Sequence, residues 1–155
     1  RVPVSHEARL KALAIDLPPV PAAAGLSAPC VRSGSQLFVS GQVPVKDGVP
    51  MRKGKLGDGV TIDEAAGLAR QCALQAVAIV RNELGTLDKV TRVIRVGGFV
   101  ASAEGFIDHP KVVNGASQLL LDLFGEAGRH ARVAVGLAEL PFGVPVEVEF
   151  LFEVS

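Results

Sequence analysis

Two periodicities divide this chain. From Val144 to Val154 every even position is Val or Phe, and the odd positions include Glu147, Glu149 and Glu153. Alternation of that kind predicts a strand with one face in a core and one face outside. Between Thr61 and Gly85 the period is helical instead. Leu68, Cys72, Ala76, Val80 and Leu84 form one apolar stripe, Thr61-Ile62-Asp63-Glu64 matches a capping box, and Gly85 stands where a helix closes. The alanine in this segment predicts a helix lying close on a sheet.

The rest of the chain follows from the same rules. Residues 1–15 predict a short amphipathic helix, with Ser5 as N-cap and Leu10 and Leu13 on one face. Pro18, Pro19 and Pro21 then impose an extended connector. Ala28 to Ser40 reads as a hairpin turning at Ser33-Gly34-Ser35, and 46–60, with Gly48, Gly54, Gly57 and Gly59, as a loop. Val90 to Val100 predicts a strand in which Gly97-Gly98 marks a bulge or a close backbone approach. A helix follows from Pro110 to Phe124, with Gly125 after its last turn.

Arg132 to Leu140 also alternates, and Arg132 shares its face with Ala134, Gly136 and Ala138. Small residues are poor strand formers, so such a floor is expected to carry a ligand or a neighbouring chain. The order β-β-α-β-α-β-β predicts an α+β fold, with two main helices on one face of a mixed sheet. The expectation is one domain over 1–155, of which 1–24 form the N-terminal helix and connector. The other sheet face is expected to meet another subunit.

Composition changes this picture mainly by exclusion. A chain of 155 residues that is 48% hydrophobic, with zero formal net charge, has enough apolar surface for a core and no reason to be disordered. No run approaches the roughly 18 apolar residues of a membrane span. Trp and Tyr are absent and basic residues only balance acidic ones, which argues against nucleic acid as a partner. Cys30 and Cys72 are expected to be reduced thiols, Cys72 within the core. No signal-peptide pattern is visible, and the expected compartment is the cytoplasm.

Candidate chemistry is sparse. His6, His109 and His130 are scattered and make no metal-ligand spacing with the cysteines, so no metal is expected. His109, just before Pro110, reads as a structural residue at a helix start. Gly54-Lys55-Leu56-Gly57-Asp58-Gly59 lacks the P-loop pattern and reads as surface loop. The best pair is Arg132 with Glu147, brought together if Arg132–Leu140 and Val144–Val154 form a hairpin. Two readings stay open: a cross-strand salt bridge, or a pocket in which the guanidinium clamps a small carboxylate.

Three stretches carry a resemblance. They are Leu37-Phe38-Val39-Ser40-Gly41-Gln42, Asn114 on the second main helix, and His130-Ala131-Arg132-Val133-Ala134-Val135-Gly136-Leu137-Ala138-Glu139-Leu140-Pro141 followed by Val146-Glu147-Val148-Glu149. From about residue 25 onward the chain resembles the RidA (YjgF) reactive-intermediate deaminases, formerly described as L-PSP endoribonucleases. The resemblance implies a chorismate-mutase-like α+β fold and a homotrimer with clefts between subunits. It implies hydrolysis of enamine or imine intermediates such as 2-aminoacrylate or 2-iminobutanoate to a 2-oxo acid and ammonia, without a cofactor. In that frame Arg132 binds the substrate carboxylate, Glu147 positions or activates water, Asn114 lines the pocket, and Ser40 and Gly41 line the cleft. Ser27 stands where the family carries a tyrosine, and the 46–60 loop and the Gly125–Arg129 turn are slightly long, which marks a divergent branch. The alternatives are a trimer that binds a small carboxylate without turnover and, behind it, an endoribonuclease.

Overall fold

The computed structural model describes residues 5–22 and 25–155. Residues 1–4 of the helix expected over 1–15, and 23–24 of the expected connector, lie outside the described residues. In chain order the elements are α1 (His6–Ala12), β1 (Cys30–Ser33), β2 (Gln36–Gln42), β3 (Val45–Lys46), β4 (Val49–Pro50), β5 (Lys55–Leu56) and β6 (Gly59–Val60). They continue with α2 (Ile62–Leu84), β7 (Val90–Ala101), α3 (His109–Phe124), β8 (Ala131–Leu137) and β9 (Val146–Val154). The fold is α+β.

A five-stranded sheet in the order β1-β2-β9-β7-β8 forms the frame, with β7 and β8 parallel and the other pairs antiparallel. The even positions of β9 are all buried and the odd ones half-buried, as the alternation predicts. Those even positions pack beneath α2 and α3, so the core lies between the helices and one sheet face.

α2 begins as its sequence dictates. Thr61 caps it by accepting from the Glu64 backbone N–H at 3.1 Å, and Gly85 ends it in the left-handed conformation. The Glu64 side chain does not complete the capping box; it pairs with Arg52 at 3.0 Å. Leu68, Cys72, Ala76, Val80 and Leu84 are all buried. α1 is capped by Ser5 and buries Leu10, whereas Leu13 falls past its last turn and is exposed. It docks beside the start of β7: Glu7 pairs with Arg81 at 2.8 Å, and His6 Nε2 donates to the Val90 carbonyl at 2.9 Å.

The structure corrects several expectations. Residues 46–60 are not plain loop. β3 and β4 form a small ribbon, β5 and β6 pair in parallel, and Leu56 and Val60 are buried. Gly97-Gly98 is a close approach and not a bulge, since a Cβ on Gly98 would overlap Val113 of α3, while the register shifts of β7 lie nearer its start. The expected hairpin between Arg132–Leu140 and Val144–Val154 does not form. β7 lies between β8 and β9, and the connection passes around its end, where Ser102 N–H donates to Leu137 and Ala101 N–H to Pro145. The physical reason is that β7 offers both edges: α3 returns the chain parallel on one, and β9 takes the other.

The small-residue floor is also reassigned. Arg132, Ala134 and Gly136 pair with Val96, Gly98 and Val100 on the helix-covered face. Ala134 packs on the core, and the His109 and Ser102 side chains occupy the space beside Gly136. α3 of the same chain therefore covers Ala134, while Gly136 and Ala138 stay exposed. The face left open instead carries Phe38, Val133 and Val135, each more than 40% exposed, with Glu147, Glu149 and Arg95.

Helix packing gives the first prediction. A Cβ on Gly115 of α3 would overlap the Ala66 backbone carbonyl of α2, which cannot step aside as a side chain can. Gly115→Ala is expected to lower stability to unfolding by about 1–3 kcal/mol, the cost of overpacking a close contact. A denaturant midpoint equal to wild type would contradict this crossing.

Candidate functional site

The residues singled out by sequence fall into two groups. Arg132 leaves β8 toward α3, where its Nη1 donates to Asn114 Oδ1 at 2.8 Å and to Ser117 Oγ at 3.1 Å. Both Nη1 hydrogens are thus committed. Among the described residues, Nε and Nη2 have no hydrogen-bond partner in the protein and no acid pairs with the guanidinium. That edge of a guanidinium is the one that fits a carboxylate with two parallel hydrogen bonds.

Glu147 lies in the second group. It stands opposite Phe99 on the open face, and its carboxylate lies against Gly41, where any Cβ would overlap it. Gly41 is thus the residue that lets a carboxylate approach the β2 backbone. Burial pushes the Glu147 carboxyl above its ordinary value, and the neighbouring Glu149 adds to the rise. Glu149 has Arg95 at 3.6 Å, whereas Glu147 has no cationic partner among the described residues.

The two groups do not meet within the chain. Arg132 pairs with Val96 and Glu147 with Phe99, and no register shift intervenes, so the side chains leave opposite faces of the sheet. The cross-strand salt bridge left open by sequence does not exist. What the structure holds instead is an acid and a base, each without an opposite charge, back to back.

Ser40 and Gly41 occupy an irregular stretch of β2, where the register against β9 shifts between Val39 and Gln42. The Ser40 hydroxyl is spent on the Ala28 carbonyl at 2.6 Å, so it ties the start of the hairpin and can offer a ligand only its lone pairs. A buried amide network holds this stretch in place. Gln75 accepts from Val45 N–H at 3.0 Å and donates to the Val43 carbonyl at 2.9 Å and to Gln42 Oε1 at 3.3 Å. Gln42 in turn donates to the Ser40 carbonyl at 2.9 Å. Sequence reading missed this network. Its signal was a pair of glutamines, Gln71 and Gln75, one helical turn apart in an otherwise apolar run.

Beside this stretch opens a cavity of about 770 Å³ bounded by the proline connector, the β3–β4 ribbon and α2. Ser27, Ser40 and Gly41 line it together with apolar residues including Val20, Val43, Met51 and Phe142. Phe142 holds a left-handed backbone, φ 60°, and is exposed at the rim. Arg132, Asn114 and Glu147 do not line the cavity. Cys72 is fully buried with its thiol pushed far up by desolvation, which makes it inert, and Cys30 is raised in the same direction by partial burial. His109 lies 3.1 Å from Ser102 Oγ and edge-on to Phe106, a packing role at the start of α3.

Comparison with known proteins bears on the family and the fold. A family described as "YjgF/chorismate mutase-like, putative endoribonuclease" matches residues 7–153. Protein TCP17 of Trypanosoma cruzi is 47% identical over 149 residues, covering 96% of this chain and 93% of its own. A crystal structure of a "putative endoribonuclease" from Shewanella oneidensis is 36% identical with a TM-score of 0.92, covering 97% of this chain and 99% of its own. E. coli TdcF with bound serine is 26% identical with a TM-score of 0.61, covering 88% of this chain and 94% of its own.

The raised Glu147 carboxyl has a consequence for stability. A carboxyl whose folded pKa lies above its unfolded value destabilises the fold once ionised, and the penalty vanishes as pH falls below the ordinary value near 4.5. Glu147→Gln is therefore expected to melt above wild type at pH 7, by about 1–2 °C because half-exposure screens the charge. The difference should close near pH 4. A variant that melts lower at pH 7 would mean that Glu147 is a stabilising residue.

Proposed function

The chain belongs to the YjgF/chorismate-mutase-like family, and from that footing we propose that it is a hydrolytic deaminase of enamine and imine intermediates such as 2-aminoacrylate or 2-iminobutanoate. The observation that carries this reading is Arg132, a guanidinium fixed through Nη1 with no acid paired to it among the described residues. A positioned arginine without a counter-charge is arranged to receive a carboxylate from elsewhere. Serine bound to E. coli TdcF is a ligand of the same chemical kind, a small amino acid with a free carboxylate.

The reaction asks little of the protein. Arg132 holds the substrate carboxylate, and Asn114 and Ser117 hold Arg132. Glu147 accepts a proton from water as its oxygen bonds to the imine carbon. Glu147 returns that proton to the nitrogen to give the carbinolamine, then carries the hydroxyl proton to the amine as the C–N bond breaks, so that ammonia leaves and the C=O of a 2-oxo acid forms. 2-Aminoacrylate enters as its imine tautomer. A carboxyl raised toward neutrality suits a group that both takes and gives a proton.

In this reading the site is shared by two subunits. Arg132 and Glu147 face away from each other within one chain, so the Arg132 face of one subunit must meet the Glu147 face of the next. A head-to-tail contact of that sort closes into a ring, and a homotrimer is the ring we propose. The exposed Phe38, Val133 and Val135 would be covered in it. The cavity beside Ser40 and Gly41 leaves room for side chains larger than those of the two intermediates named. The endoribonuclease reading carried by relatives' names finds less support, because zero net charge without Tyr or Trp offers RNA neither a basic excess nor the larger stacking rings.

The test is ammonia release from 2-aminoacrylate generated in situ, corrected for spontaneous hydrolysis. Wild type should accelerate it, Arg132→Ala should raise KM by about 100-fold for loss of a bidentate ion pair, and Glu147→Gln should lower kcat by about 100-fold or more. The wild-type rate should fall as pH drops through the raised Glu147 value, since the base must be ionised. A wild-type rate equal to the blank would sink the deaminase and leave a carboxylate-binding protein.

A further inference from the structure

Arg132 is the end of a row of hydrogen bonds. The Ser117 hydroxyl that accepts from its Nη1 lies 2.9 Å from His130 Nε2, and His130 Nδ1 lies 2.6 Å from the Gly128 carbonyl oxygen. A carbonyl only accepts, so Nδ1 carries the proton. In the neutral ring Nε2 is then a bare lone pair, and the Ser117 hydroxyl must donate to it. Its own lone pairs are thereby left for the guanidinium. One carbonyl at the end of the row thus fixes the direction of each bond back to Arg132.

The surroundings keep the ring neutral. Burial pushes the His130 pKa below its ordinary value, the Gly128 carbonyl pulls the other way, and the charge of Arg132 lowers it further. The carbonyl itself is held in place by α3. Gly128 closes the turn after the helix, and a Cβ there would overlap the Leu120 carbonyl, so this turn fits tightly under the last turns of α3 only with glycine. Imine hydrolysis by Arg132 and Glu147 uses neither His130, Ser117 nor this turn as reacting groups.

We propose that His130 and Ser117 are positioning residues for the substrate-carboxylate site, a relay from the Gly128 carbonyl that locks the Arg132 guanidinium in the orientation its ligand needs. The inference rests on the reading of Arg132 as a carboxylate clamp and adds a specific device to it. Asn114 holds the same Nη1 from the other side, so the guanidinium is gripped at both of that nitrogen's hydrogens. The Nε–Nη2 edge is then presented without rotation about the last bonds of the side chain.

A positioning role for a bound carboxylate predicts an effect on binding and not on chemistry. Ser117→Ala should raise KM for the imine, and the dissociation constant for pyruvate measured in parallel, by about tenfold, the worth of one hydrogen bond to a charged group, with kcat within about twofold. Ser117→Thr, which restores the hydroxyl, should return both constants to near wild type. Nitrogen NMR of wild-type His130 should find Nδ1 protonated and Nε2 unprotonated at neutral pH, a measurement that needs no variant to fold. Unchanged KM and pyruvate affinity in Ser117→Ala, a loss confined to kcat, no recovery in Ser117→Thr, or the Nε2-protonated tautomer would each overturn the relay. No imine hydrolysis with pyruvate still bound, and bound more weakly by Ser117→Ala, would sink the deaminase and leave the relay standing. A wild type that neither turns over imines nor binds pyruvate would sink both.

Discussion

The register of β7 against its two neighbours governs this molecule. β7 pairs parallel with β8 and antiparallel with β9, and the parity of those pairings sends Arg132 to the helix-covered face and Glu147 to the open one. A shift of one residue against β9 would bury its glutamates under the helices and expose its Val and Phe, and a shift of one against β8 would turn Arg132 to the open face. The hydrophobic alternation that builds the core is therefore the same constraint that separates the two charges of the proposed site. Folding stability and the division of the proposed site have one cause.

Each charge is then handled by its own local device. The arginine is gripped by α3, whose Asn114 and Ser117 lie one turn apart and reach the same nitrogen. The glutamate is set against Gly41, in an irregular stretch of β2 that a buried glutamine network holds from the α2 side. Both helices thus serve twice, covering the core with their apolar faces and fixing one half of the site with a few polar side chains. The polar residues on buried surface, Gln75 and Ser117, are the ones that do this.

Much of the architecture was legible in the sequence because it rests on local rules. The Ser5 and Thr61 caps, the hairpin at Ser33-Gly34-Ser35, the α2 stripe and the β9 alternation are each decided by neighbours within a few residues. The main failures were non-local. Nothing in the spacing of Arg132 and Glu147 says that β7 inserts between their strands, and a row of Ala and Gly reads alike whether a ligand or α3 lies over it. Leu56 and Val60 are buried in a segment whose glycines announce a loop, since burial there depends on strands far away in sequence. For the site, residue types were legible and faces were not. Asn114 was found by resemblance, whereas Ser117, His130 and Gln75 carry no pattern until the helices are in place.

What remains is a protein whose Arg132 and Glu147 are complementary, unpaired among the described residues and back to back, the arrangement behind the proposed site between two copies. The most direct measurement is complementation between Arg132→Ala and Glu147→Gln, each about 100-fold impaired alone at substrate below the wild-type KM, mixed in equal amounts and allowed to exchange subunits. If the site forms between chains, some interfaces in the mixture join an intact Arg132 to an intact Glu147, and deaminase activity should return to about a quarter of wild type for random assembly of a ring. Activity no greater than the sum of the two variants would contradict a site shared between subunits, and with it the pairing of Arg132 and Glu147 as clamp and base.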